Sequence, residues 1–171
     1  MSDEQQQDEQ QRQDSAAAQE PIPLRRSRRR RRTSPHVPAV LHQHYQALAE
    51  ASAGLQEKVM DLEQDWHLRP PEFWRAILTL LVGLRQSLQP CIDTINESIG
   101  SLPLACSSAV VPLCKATDKV ERVGLQITMY LPTCGWLKGL PERQQILEEL
   151  RELNRALQRS LHLISGKEAQ A

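Results

Sequence analysis

The chain has 171 residues, 40% hydrophobic and 25% charged, and its 21 basic and 21 acidic side chains cancel. One phenylalanine, a leucine-rich remainder and few strand-favouring runs argue against a β-rich core. The longest apolar stretch, Phe73 to Leu84, is interrupted by Arg75, and it falls short of the ~20 residues a membrane helix needs.

The zero net charge hides a polarised N-terminal region. Residues 1–24 hold six acids (Asp3, Glu4, Asp8, Glu9, Asp14, Glu20) against Arg12. Arg25, Arg26, Arg28, Arg29, Arg30, Arg31 and Arg32 then fill seven of eight positions, with Ser27 the only break. Ile22 and Leu24 are the only large aliphatic residues between Met1 and Pro35, too little apolar surface to offset the entropy of ordering the segment. Residues 1–36 are therefore expected to be a disordered tail, acidic and Gln-rich first and Arg-rich after. The acidic start does not resemble a secretory leader, so reduced cysteines inside a cell are expected.

Four helical segments follow. The first, roughly 38–67, spaces Leu41, Tyr45, Leu48, Ser52, Leu55, Val59, Leu62 and Trp66 alternately four and three apart, a coiled-coil pattern. Ser52 and Gly54 mark either a bend or a close approach of another helix. Pro71 suits a first helical turn, and a second segment over about 71–100 keeps the same spacing through Trp74, Ile77, Leu81, Leu84, Leu88, Cys91 and Ile95. Pro90 lies inside it and predicts a kink or break near Gln86–Gln89.

Gly100-Ser101-Leu102-Pro103 ends that segment. The third, about 104–131, places Cys106, Val110, Leu113, Val120, Ile127 and Leu131 on one face, with Thr117 and Gly124 as weak members and Val123 and Tyr130 flanking. Pro112 suggests that its regular part starts only near 110. An apolar loop, Leu131–Gly139, leads to a fourth helix from Pro141-Glu142, striped by Ile146, Leu150, Leu153, Leu157 and Ile164, with Gly166 as a left-handed cap. Glu148 and Glu152 repel at i,i+4, with Arg155 as the compensating neighbour of Glu152. The expected fold is all-α: an elongated antiparallel bundle of about four helices with coiled-coil character over residues 37–166, ended by a disordered 167–171.

Catalytic and metal signatures are sparse. Cys91, Cys106, Cys114 and Cys134 are 15, 8 and 20 residues apart and form no Cys-x-x-Cys pair. His42 and His44 point to different sides of a helix, and His36, His67 and His162 stand alone. No glycine-rich phosphate loop and no Ser/His/Asp arrangement is visible, so neither an enzyme nor a cofactor is expected. Cys91 and Cys106 suit small core positions.

The arginine run carries the functional expectation. Clustered guanidinium groups fit the acidic groove of an import receptor. They also fit phosphates as a non-specific nucleic-acid grip, or an anionic lipid surface. No aromatic residue interleaves them, so no stacking platform for bases is present. Ser34, with Ser27 and Thr33, is a candidate phosphorylation site that would place about two negative charges beside the arginines. Leu41, Tyr45, Leu48, Leu55, Val59 and Leu62, with Ile146, Leu150, Leu153, Leu157 and Ile164, are candidate partner-facing seams, closing either within the chain or on another protein. Trp66 and Trp74 are expected in the core, and Trp136, between Gly135 and Leu137, is a candidate loop anchor for a partner.

The expectation is a non-catalytic subunit or adaptor of a nuclear multiprotein assembly. It would bind protein partners through its helical seams, in a hetero-complex or by self-association, and an import receptor through its tail. A nucleic-acid-binding protein is the alternative and a membrane-surface adaptor the second. Nuclear localisation is expected, with a cytoplasmic location as the alternative.

Overall fold

A computed structural model describes residues 37–64, 69–131 and 140–166, the side chains of Leu140 and Pro141 excepted. The expectations for residues 1–36 and 167–171, and for Trp66, Cys134 and Trp136, lie outside these residues. All described elements are helical: α1 (His42–Gln64), α2 (Pro71–Glu97), α3 (Leu104–Ser108), α4 (Val110–Tyr130) and α5 (Leu140–Ile164). A short 3-10 turn, Ala39–Leu41, leads into α1 and inserts Leu41 into the core.

The four long helices pack in a ring. α1 lies on α2 and α5, and α4 lies on the same two. Each helix thus turns one stripe to a shared interior, which is the arrangement a period near 3.5 allows. In α1 the stripe is Leu48, Ser52, Leu55, Val59 and Leu62, all buried, with Tyr45 half-buried. In α2 every stripe residue from Trp74 to Ile95 is buried, together with Ile92. In α5 Ile146, Leu150, Leu153, Leu157 and Ile164 are buried, and Ser160 fills the gap in their spacing.

The stripe of α4 corrects the sequence reading. Beside Pro112 in the first turn, the buried residues are Leu113, Ala116, Val120, Val123, Ile127 and Tyr130, so Ala116, Val123 and Tyr130 take the places assigned to Thr117, Gly124 and Leu131. The spacing is the same, but the face is rotated toward the small Ala116. Thr117 instead donates its hydroxyl to the Leu113 carbonyl at 3.1 Å, the back-bond a hydroxyl makes within a helix. Pro112 does sit in the first turn of α4, as its missing N–H requires.

Of the kink or break expected near Gln86–Gln89, the break does not occur, and α2 runs through Pro90 to Glu97. Pro90 and Gln86 are both exposed, where water can take the carbonyl that the ring leaves without a donor. The helix ends at Ser98, whose N–H meets the Thr94 and Ile95 carbonyls at 3.1 and 3.2 Å. After the last helix Gly166 adopts φ 65°, the left-handed cap that glycine allows without a Cβ clash.

Gly54 marks a close approach. A Cβ built there would lie 3.1 Å from Leu80 Cδ1, so the absence of a side chain lets α2 settle against α1. Nearby, Phe73 packs edge-on against Trp74 at 5.6 Å, and Trp74 against Tyr130 at 5.4 Å. Lys58 and Arg69 lie 5.4 and 5.1 Å from the Phe73 ring centre, and Arg69 also donates to the Asp61 carbonyl. This cluster joins the last turn of α1 to the first turn of α2 by cation–π attraction as well as apolar contact.

Candidate functional site

Several polar side chains of the bundle tie helix to helix. Lys119 of α4 reaches Glu149 and Glu152 of α5, each at 2.6 Å, and its side chain is only 13% exposed. Arg122 adds a longer contact to Glu149 at 3.8 Å. The hydrogen bond to Glu149 first, and that to Glu152 next, hold the Lys119 ammonium above its usual range. The bond from Lys119 in turn holds the Glu152 carboxyl below its usual range. Glu152 therefore bonds across to another helix, while Arg155, the neighbour its sequence suggested, adds only a weaker charge attraction. Arg155 instead meets Glu148 at 3.4 Å.

The α1–α5 contact is built differently. Ser52 donates to Asn154 Oδ1 at 3.3 Å, and Gln158 to Gln56 at 3.2 Å. Arg151 pairs with Glu63 at 2.7 Å and with Glu148 at 3.3 Å, and the Glu63 bond is the larger cause of its raised pKa. His44 shares a hydrogen bond of 3.1 Å with Thr94, its direction set by the imidazole tautomer.

Two of the three described cysteines, Cys91 and Cys106, are packing groups. Cys91 is fully buried, and burial pushes its thiol up to about 11. Cys106 is buried too, its pKa raised for the same reason, and its S–H donates to the Ile164 carbonyl at 3.5 Å. That bond tethers α3 to the end of α5. Cys114 is exposed. A raised pKa disfavours the thiolate, the reactive form. Among the described residues no group of three or more His, Cys, Asp or Glu could hold a metal ion, and no helix is long and apolar enough to cross a membrane.

The seam residues named as partner-facing are corrected by their burial. Leu41, Leu48, Leu55, Val59, Leu62, Ile146, Leu150, Leu153, Leu157 and Ile164 are covered by other helices of the same chain, and only Tyr45 keeps partial exposure. The physical reason is stoichiometric. Four stripes facing one interior satisfy one another, so none is left to seek an outside helix. The arginines from Arg25 to Arg32, the hydroxyls of Ser27, Thr33 and Ser34, and Trp136 lie outside the described residues.

The outer surface holds what the seams do not. A groove of about 570 Å³ runs between the first half of α4 and the second half of α5. Val111, Pro112, Ala156 and Leu163 supply its apolar lining, and Lys115, Arg155, Arg159 and Glu152 its charged edges. Leu104 and Val111, 84% and 75% exposed, are the most exposed of the large hydrophobic residues described. Leu104, Ser108 and Val111 follow one another at helical spacing, so the strip leads along α3 to the groove. The sequence reading missed this surface. Val110, not Val111, carried its pattern, and the role of Arg159 depends on a helix that is distant in sequence.

A comparison of the chain with protein-family models, with curated proteins and with solved structures returns no match.

Proposed function

We propose that the protein is a non-catalytic subunit or adaptor of a nuclear multiprotein assembly. Its Arg-rich tail acts as the import signal, and the outside of its helical bundle meets the partner. The bundle is read as antiparallel, up and down in chain order. The contacts supporting this pair a rising residue number with a falling one: His44 with Thr94 and Gly54 with Leu80, then Lys119 with Glu149 and Tyr130 with Arg143. Coiled-coil character is supported by the alternating three-and-four spacing of the buried residues in all four long helices.

The observation that carries the functional reading is the run of seven arginines within Arg25–Arg32. A cluster of permanent charges beside an acidic block is a ligand for an acidic receptor groove. The described ionic side chains support a scaffolding role, since Lys119, Glu149, Arg151 and Glu63 all join one helix to another. Ser34 would tune the import signal, because a phosphate beside the arginines competes for the same charges.

The test uses the full chain fused to a reporter too large to diffuse through nuclear pores. Replacing Arg28–Arg32 by alanine should move it from nucleus to cytoplasm, and nuclear accumulation that survives the replacement contradicts the reading. A nucleic-acid grip is the second reading, favoured by the fit of guanidinium groups to phosphates. It predicts a binding constant that falls steeply with salt, by about 0.9 in logarithmic slope per phosphate contacted.

A further inference from the structure

We infer that the groove between α4 and α5 is a docking site for an acidic amphipathic helix of a partner protein. The inference rests on the adaptor reading and names the surface and the partner chemistry that reading requires.

Charge complementarity decides the occupant. The groove edges carry Lys115, Arg155 and Arg159 against one carboxylate, Glu152. Glu152 is bonded to Lys119 at 2.6 Å, a cation it shares with Glu149, and the charges of Lys115 and Arg155 act on it as well. Arg159 makes no ion pair with a described residue, and Lys115 acts on Glu152 only through a longer-range charge. Arg155 makes one, to Glu148 at 3.4 Å, and remains 67% exposed. The chain is neutral overall, yet this surface sets three cations against one carboxylate around an apolar lining. A partner that satisfies both must present carboxylates and apolar side chains together.

The spacing points to a helix. Arg155 and Arg159 are one turn apart on α5, so their guanidinium groups address carboxylates one turn apart on a ligand helix. Val111 and Leu163 offer apolar contact from opposite walls, the pattern that takes the anchors of a helix laid in a groove. Leu104, exposed along the same strip, extends the contact beyond the groove. A simple polyanion such as a nucleic acid would use the cations and leave the apolar lining unused. The combination therefore favours an amphipathic protein segment.

The probe is a synthetic peptide of about eighteen residues with leucine at every third or fourth position and glutamate on both flanks. Three controls accompany it: one with serine for leucine, one with lysine for glutamate, and vesicles of anionic lipid. The full chain should bind the acidic amphipathic probe saturably, and the Leu→Ser and Glu→Lys peptides at least about tenfold more weakly. The exposed-site substitution Val111→Gln should weaken binding, with unfolding unchanged as the check on folding. The double variant Arg155→Glu, Arg159→Glu should lose the acidic probe and gain the lysine one. Equal binding of the serine control, tighter binding to vesicles, or failure of the charge reversal to exchange probes overturns the site. None of these results touches the import test, so the groove and the adaptor reading fail separately.

Discussion

Two helical strips of this molecule, one apolar and one mixed, share a spacing and meet opposite fates. Along α5, Ile146, Leu150, Leu153, Leu157 and Ile164 are three, four or seven residues apart, and all are buried. Along α3 and the start of α4, Leu104, Ser108, Val111 and Lys115 are spaced four, three and four apart, and all are exposed. The α5 strip lies opposite three other stripes, whereas the Leu104 strip is left uncovered by the described helices and ends in a cation at the edge of the groove. Periodicity thus states that a helix has a face. What covers the face is decided by how many other faces the chain supplies.

The strongest way to break this contrast is to truncate the buried strip. Leu150→Ala or Leu55→Ala should cost about 2 to 5 kcal/mol, since each side chain is fully buried and its loss leaves a cavity. A urea titration checks this, and a cost below that of a surface substitution would mean the stripe is not closed.

A smaller loss is expected from the ionic tie between α4 and α5. Lys119→Met leaves Glu149, only 14% exposed, without its nearest cation. About 1 to 2 kcal/mol is expected, less than for a fully buried pair because water still reaches the carboxylates. A matching Glu149→Gln variant in a double-mutant cycle isolates the pair from the packing of the lysine stem.

The pH dependence sharpens the same tie. Glu152 is held below its ordinary 4.5, so its contribution is present above that pH and fades as pH falls through the lowered value. Lys119 is held above its ordinary 10.5, so its contribution is complete below that pH and fades as pH rises through the raised value. Cys91, raised from 9.0 to about 11 by burial, opposes ionisation only in the folded state, so stability declines as pH climbs between those values. Unfolding midpoints should form a plateau through neutral pH with an alkaline decline that begins first. Cys91→Ala should shallow that decline, and an unchanged slope would place the thiol in water.

Gly54→Ala should change stability by less than about 1 kcal/mol. The gain in helix propensity is offset by the contact at 3.1 Å with Leu80, a side chain whose end can shift. Least of all, Leu104→Gln and Val111→Gln should alter unfolding by no more than about 0.5 kcal/mol, because neither side chain is covered. A loss comparable to that of Leu150→Ala would show that the outer strip is packed after all.

Helix existence and the buried face of α2 are read directly from the sequence, because Trp74 to Ile95 are large, closely spaced and unambiguous. α4 is read less well. Its buried face passes through Ala116, a residue that gives little hydrophobic signal, while Val110 and Leu131 draw the pattern aside. The course of α2 through Pro90 depends on exposure of the Gln86 carbonyl, a property of the packed state. Lys119 reaches carboxylates 30 and 33 residues away, and the groove joins Val111 to Arg159. Both become visible only once α4 and α5 are side by side. The arginine run, in contrast, is legible in sequence and lies outside the described residues.

The central claim is that the heptad stripes close within a single chain. It is tested most directly by the urea midpoint of the full chain over about a hundredfold range of protein concentration. The account predicts a midpoint independent of concentration, as for a folded monomer. A midpoint that rises with concentration would show that the stripes close between chains, and would contradict it.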